Sequence, residues 1–438
     1  MKLLLVIPYD NLYKYATGYT KLLGYEPLTL SVLAALVPTE YNIDIQIVDE
    51  GMERGRYNDH YDIVGISTVT SASKRAYELA AYFKAQGSHV AMGGHHITLM
   101  PEEAKEHADT IFIGRSEKTW PKFFHDFIKN TPQKVYIQEN DTDELCLPLP
   151  RRDLVKRSNY LRQPVIISNC GCKNKCNFCS ISKFWNGCSP KRPIADVIEE
   201  IKSLNTKEFI FLDPNQYSDK EYSKELYTEI AKLNIKWGGL TTHNITDDKE
   251  MLNLMVKSGC SGVFIGFETL EEGNLSDMNK TSNTIQKYKE TIQILHDYHL
   301  PITGSFMVGL DHDTKASLLA LPEKIHELKI DIMRYGIVTP VPNTGFYHKL
   351  VQEGRILTKD WSLYDSMHCV FQPRHMTPRE LEDIFLKIWK ESYTFKNIFR
   401  RLNYTPNLKI LKFLTGIGFK IYVHQLNKLY KTEGKSSE

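Results

Sequence analysis

Long hydrophobic runs, strong net charge and internal repeats are all missing from this chain. No apolar stretch approaches the ~20 residues that a membrane-spanning helix needs. Over 438 residues the formal net charge is only +2, which gives no general attraction for nucleic acid, so no nucleic-acid partner is expected. Cysteine is too sparse for a disulfide framework: the chain has Cys146, Cys170, Cys172, Cys176, Cys179, Cys188, Cys260 and Cys369. With no apolar leader-like run at the start, these thiols are expected in a reducing, cytoplasmic setting. The only low-complexity stretch is the polar tail 432–438, which is expected to be disordered.

What is present is an ordinary globular composition, 42% hydrophobic and 25% charged, in a chain too long for a single core. Residues 1–145 alternate short apolar runs (2–7, 43–48, 62–67, 89–92 and 110–113) with helical stretches such as 27–36 and 73–86. This is the pattern of an α/β, Rossmann-like, doubly wound parallel sheet. Such sheets bind ligands beyond the carboxyl ends of their strands, here the loops 8–15, 67–71, 93–98 and 114–117. Residues 146–162 read as an extended linker, because Pro148 and Pro150 bias the residues before them away from helix.

Residues 163–345 offer six further strand candidates (164–168, 208–212, 235–241, 261–266, 302–307 and 334–339) alternating with helices. That alternation predicts a partial (β/α)6 barrel with its chemistry at the carboxyl ends of the strands. Residues 346–431 are expected to be helical, with one helix over 378–392 capped by Thr377 and opened by Pro378. Between Thr394 and Lys431 the chain has eight Lys or Arg and no Asp or Glu, interleaved with Phe395, Phe399, Ile410, Leu411 and Leu414. An amphipathic helix packed on the core with a solvated basic face is the first expectation. A membrane-surface helix, holding the protein peripherally at the inner membrane face, is the alternative.

Cys172, Cys176 and Cys179 stand in the pattern Cys-x3-Cys-x2-Cys. So short a loop can wrap one face of an iron–sulfur cube. Clusters of this kind normally take four thiolates, so three leave one iron open to a substrate or cofactor. Structural zinc with Cys170 or Cys188 as fourth ligand is the alternative, although zinc sites usually pair two separate knuckles whereas these ligands crowd one loop.

The cysteine loop, with Phe178 just before its last ligand, resembles the signature of the radical S-adenosylmethionine (SAM) superfamily. The resemblance implies a 4Fe-4S cluster on Cys172, Cys176 and Cys179. It also implies a SAM site that uses Phe178, Asp213 and Glu268 with the Gly304 to Gly309 element of the fifth barrel strand. Reductive cleavage of SAM would then activate an unreactive C–H bond, with electrons from a reductant such as flavodoxin or ferredoxin. Upstream, Gly93-Gly94-His95-His96, Gly114-Arg115-Ser116-Glu117 and the strand ending in Ser67 are similar to the cobalamin-binding domain that precedes many radical SAM cores. By that likeness Ser67, Gly93, Gly94, His96, Gly114 and Glu117 would contact cobalamin. The two histidines otherwise read as surface groups.

The Asp-x-His-x-x-Gly element that supplies cobalt with a histidine is absent, since the first strand is followed by Pro8-Tyr9-Asp10-Asn11. Arg115 and Ser116 also replace residues usual in relatives. The expected activity is cobalamin-dependent C-methylation of a small-molecule or lipid-like substrate, in a branch that includes hopanoid methylases. The alternatives are a radical SAM cyclase, rearrangement or carbon–carbon coupling enzyme, with or without cobalamin, and more remotely a non-enzymatic zinc module.

Overall fold

The computed structural model describes residues 1–10, 24–53, 55, 57, 59–139, 144–160, 163–278 and 284–432. Loop positions 11–15, the linker end 161–162 and the tail 433–438 lie outside the described residues. Two six-stranded parallel sheets organise the chain.

The first sheet contains β1 (Lys2–Ile7), β2 (Asp44–Asp49), β3 (Ile63–Ser67), β4 (His89–Gly93), β5 (Thr110–Gly114) and β6 (Val135–Gln138), in the order β2-β1-β3-β4-β5-β6. Leu3, Leu4, Leu5 and Val6 are all fully buried, as a central parallel strand covered on both faces requires. The strand order reverses between β1 and β3, and that switch point opens a crevice beyond their carboxyl ends. β6 is an addition to the sequence reading. It is a four-residue edge strand with exposed Ile137, too short and too mixed in character to stand out.

In the second sheet β7 (Val165–Ile166), β8 (Glu208–Phe211), β9 (Lys236–Thr241), β10 (Cys260–Glu268), β11 (Ile302–Val308) and β12 (Ile332–Ile337) pair in chain order. With helices between successive strands, this is an open (β/α)6 sheet. One face, with Val263, Ile265, Phe267, Ile302, Phe306, Val308, Met333, Tyr335 and Ile337, is buried in the largest core. The opposite face, with Phe264, Gly266, Ser305, Met307 and Gly336, stays half open.

The helix Pro378–Ser392 begins as the sequence predicts, with Thr377 and Glu380 in a reciprocal capping box and Pro378 in the first turn. The basic stretch forms two helices, Phe395–Arg401 and Lys409–Thr432. Lys412 is not part of a solvated basic face. It is buried, and its Nζ donates to Asp331 at 2.9 Å and to the Thr405 carbonyl at 2.8 Å. No helix among the described residues is long and apolar enough to cross a membrane.

The linker is pinned rather than loose. The Arg152 guanidinium pairs with Glu26 from the first domain and Glu200 from the second, and donates to the Val165 carbonyl at 2.7 Å.

Candidate functional site

The cysteine loop runs from the end of β7 to the helix Ser180–Trp185. Gly171 sets its start. At φ +104° a Cβ would lie 2.2 Å from the Cys188 carbonyl oxygen, so no side chain can be accommodated there. Cys172, Cys176 and Cys179 are each half-buried. Burial pushes the Cys179 thiol above its ordinary range, while the Ser182 and Ile181 amides at the helix start pull it down and nearby Cys172 and Glu268 add to the rise. Those amides are the donors that a metal-bound thiolate would use. The Asn215 side-chain amide donates to Cys172 Sγ at 3.8 Å, a contact that the sequence reading missed because it weighed only charged groups after β8.

Cys176 and Cys179 line a cavity of about 220 Å³ together with Ser182 and Thr344. Phe178 packs on the main core beneath the loop. Cys170 is desolvated with its thiol pushed far up, and Cys260 and Cys369 lie in the core. Among the described residues no group of three or more His, Cys, Asp or Glu side chains is drawn together as a single-ion site. Three thiols on one short loop are the donor set that a cluster with one open iron takes.

Glu268 ends β10 at φ 69°, after a register shift between Gly266 and Glu268. A non-glycine residue in left-handed backbone at a strand end stores strain of the kind that marks functional positions. Its carboxylate folds back over Gly266, where an added Cβ would be 2.3 Å from Oε1. Asp213 does not fit the expected role of receiving the SAM amino group. It is fully buried, accepts from the Ser168 amide at 2.7 Å, from Asn169 Nδ2 at 2.9 Å and from the Ser168 hydroxyl and Gln216, and its burial raises the carboxyl to about 7.

Gly304 and Gly309 are also packing residues. A Cβ on Gly304 would meet the Phe267 and Phe306 rings at 3.1 and 3.2 Å, and one on Gly309 would meet Leu381 at 2.6 Å. The half-open face of β11 and β12 instead presents Ser305 beside Arg334, with the Arg334 guanidinium 5.9 Å from the centre of the Phe264 ring. The signal for these residues is the other parity of the strand alternation.

At the carboxyl edge of the first sheet, half-buried Ser67 and exposed Val69 flank the switch-point crevice. Gly94 (φ +101°) and Gly114 (φ +79°) are required by their own backbone, since added Cβ atoms would lie 2.6 Å from the Thr68 carbonyl oxygen and 2.3 Å from that of Gln138. Gly93 has room for a side chain, its nearest neighbour being Phe112 at 3.5 Å. His96 is turned inward rather than towards a cofactor. Fully buried, it meets Thr70 at 3.3 Å, Tyr77 at 3.2 Å and Glu103 at 3.3 Å.

Glu117 is engaged by Arg115 at 3.2 Å and by Gln138 Nε2 at 2.9 Å, and Arg115 also reaches the Glu144 carbonyl at 3.0 Å. Arg115 is therefore folded back onto its own domain, at the segment that leads into the linker. The outward histidine is His95, whose ring stacks on Phe184 of the helix following the cysteine loop, 4.5 Å between centres. Burial holds its pKa below the ordinary histidine value. The crevice, exposed Val69 and a first-strand loop without histidine fit a corrin that takes no histidine from the Asp-x-His position.

A three-thiol loop on an open parallel (β/α)6 sheet, in contact with the ligand edge of a doubly wound domain, has the donor set of an iron–sulfur cluster beside a second ligand-binding sheet. Residues 166–325 match the radical SAM superfamily and residues 24–124 the B12 binding domain. The chain is a radical SAM enzyme with an amino-terminal B12-binding domain.

It is 29% identical over 392 residues to the bacteriochlorophyllide d C-12(1)-methyltransferase of Chlorobaculum tepidum, covering 87% of this chain and 85% of that protein. It is 28% identical over 429 residues to the C-8(2)-methyltransferase of the same organism, covering 93% and 94%. In fold it is similar to the radical SAM methyltransferase TsrM of Kitasatospora setae with cobalamin and a 4Fe-4S cluster bound (TM-score 0.69, 13% identity, 98% and 99% covered).

Proposed function

We propose that this enzyme is a cobalamin-dependent C-methyltransferase acting on a small-molecule acceptor. The observation that carries the reading is the His95–Phe184 stack at 4.5 Å, which joins the glycine loop of the B12 domain to the helix leaving the cluster cysteines. That join supports adjoining cofactor sites, as methyl transfer requires. When bound, the cluster with SAM supplies a hydrogen-abstracting radical, and cobalamin supplies the methyl group.

The residues' part is positioning and exclusion of water. Cys172, Cys176 and Cys179 hold the cluster, and the strained Glu268 carboxylate receives polar groups of SAM. Ser67, Val69 and Gly93 border the corrin. Phe264, Ser305 and Arg334 floor the acceptor space. The likeness to enzymes named for bacteriochlorophyllide d supports a sizeable, largely apolar acceptor, and a low-potential donor such as flavodoxin or ferredoxin would supply electrons.

The test uses anaerobically reconstituted enzyme expressed with hydroxocobalamin, a chemical reductant, methyl-deuterated SAM and metabolite extract from cells lacking the gene. Label appearing in a single extract component together with about one corrinoid per chain is the expected outcome. SAM cleavage with corrinoid absent and no label transferred would overturn the methylation reading in favour of a cobalamin-free radical reaction.

A further inference from the structure

Five of the fifteen large hydrophobic side chains exposed among the described residues fall between positions 395 and 414. They are Phe395 (54% exposed), Phe399 (56%), Ile410 (78%), Leu411 (49%) and Leu414 (48%), and Ile410 is the most exposed of all fifteen. Helical spacing explains the clustering: Phe395 and Phe399 are four apart on one helix, and Ile410 and Leu414 four apart on the next. The two helices meet closely. A Cβ on Gly416 would lie 3.0 Å from Ile398, and the Phe399 and Phe413 rings are 5.7 Å apart.

Their inward faces are fixed by buried Ile398, Arg401, Lys412 and Gly416. The outward apolar side chains therefore form one patch held by a rigid base. Lys396 and Lys409 are exposed beside it, Arg400 reaches Glu323 at 3.0 Å, and Lys420 lies over the Phe395 ring at 4.7 Å. Between 394 and 432 the sequence has no acidic residue.

We infer that this patch, Phe395, Phe399, Ile410, Leu411 and Leu414 with Lys396 and Lys409 at its side, docks the enzyme on the surface of an anionic lipid bilayer. Protruding apolar side chains beside cations match the two layers of such a surface, acyl chains below and anionic headgroups above. A second copy is a poor occupant, because a two-fold contact would set the exposed cations Lys396 and Lys409 of this segment, which itself carries no acidic residue, against their own copies. An acyl or headgroup boundary also needs no groove, and the most exposed side chain here stands out from the surface. The inference is independent of which reaction the enzyme performs.

The test is flotation of reconstituted holoenzyme with phosphatidylcholine vesicles, with and without phosphatidylglycerol, at low and high salt. Wild type should float with the phosphatidylglycerol vesicles, less at high salt, and hardly at all with phosphatidylcholine alone. Removing each of Lys396 and Lys409 as Gln should lower partitioning roughly fivefold. The triple variant Phe399→Ser, Ile410→Ser, Leu414→Ser should abolish flotation. Both variants should keep wild-type thermal stability and SAM cleavage, which separates lost docking from lost folding. Wild type that fails to float, or variants that float like it, would overturn the inference. So would sedimentation velocity showing a dimer that the triple variant makes monomeric, which would assign the patch to a second copy.

Discussion

At the scale of single residues, spacing rather than burial sets three of the cysteines apart. Cys170, Cys172, Cys176 and Cys179 are all half-buried, and burial raises the thiols of both Cys170 and Cys179, but only Cys172, Cys176 and Cys179 share the Cys-x3-Cys-x2-Cys loop. Replacing any one of the three by Ala should remove the cluster and SAM cleavage together, read as iron content and 5'-deoxyadenosine yield, while Cys170→Ala should keep both. Equal iron loss in Cys170→Ala would contradict a three-thiolate site. The spacing of these ligands was legible because a cluster loop is local in sequence. The role of Asp213 was not, because the four donors that surround it come from Ser168, Asn169 and Gln216 after folding.

Lys412 shows the same limit on legibility. By sequence it joins a basic helix face, yet in the fold it neutralises Asp331, which also receives His296 at 3.1 Å and the Thr405 hydroxyl at 2.6 Å. Lys412→Ala would strand a buried carboxylate and should cost about 3–5 kcal/mol of stability, measured by denaturant titration. An exposed lysine would cost almost nothing on the same titration.

At the scale of elements, every strand except the edge strand β6 follows the hydrophobic pattern to within a residue or two, since parallel strands between helices read as short apolar blocks. What the pattern does not carry is which parity of β10 to β12 faces helices. That choice puts Gly304 on the core side of β11 and leaves Phe264, Ser305 and Arg334 on the open face. It also does not show how the carboxyl-terminal helices attach. One attachment is His326 in the helix Lys315–Glu327, whose Nδ1 lies 3.0 Å from the Tyr404 hydroxyl.

Burial, with Arg401 and Arg400 close by, lowers the His326 pKa from 6.5 to about 4. The unfolded chain therefore binds this proton more readily than the native one. The stability the group contributes is complete above pH 6.5 and is lost as pH falls through about 4. Denaturation midpoints followed across that window should fall more steeply for wild type than for His326→Gln. Parallel pH profiles would remove His326 as the cause.

At the scale of the whole molecule, three of the contacts that bring the two sheets together bear on the site. Arg152 joins Glu26 to Glu200, the Trp361 indole donates to Glu103 at 3.0 Å behind buried His96, and Phe184 stacks on His95. The first two are structural joints remote in sequence, invisible until the domains meet. The third lies where the proposed cofactor sites adjoin. On the proposed reading, methyl transfer depends on how the two sites are placed, whereas SAM cleavage draws on the cysteine loop and the second sheet. Phe184→Ala should therefore leave iron and corrinoid content unchanged and 5'-deoxyadenosine formation close to wild type. Methylated product per 5'-deoxyadenosine should fall on the order of 10-fold to 100-fold, the usual cost of misplacing reactants by about an ångström. Loss of iron together with product would instead make Phe184 a support of the cysteine loop. An unchanged product ratio would show that the stack does not set the geometry between the two cofactors.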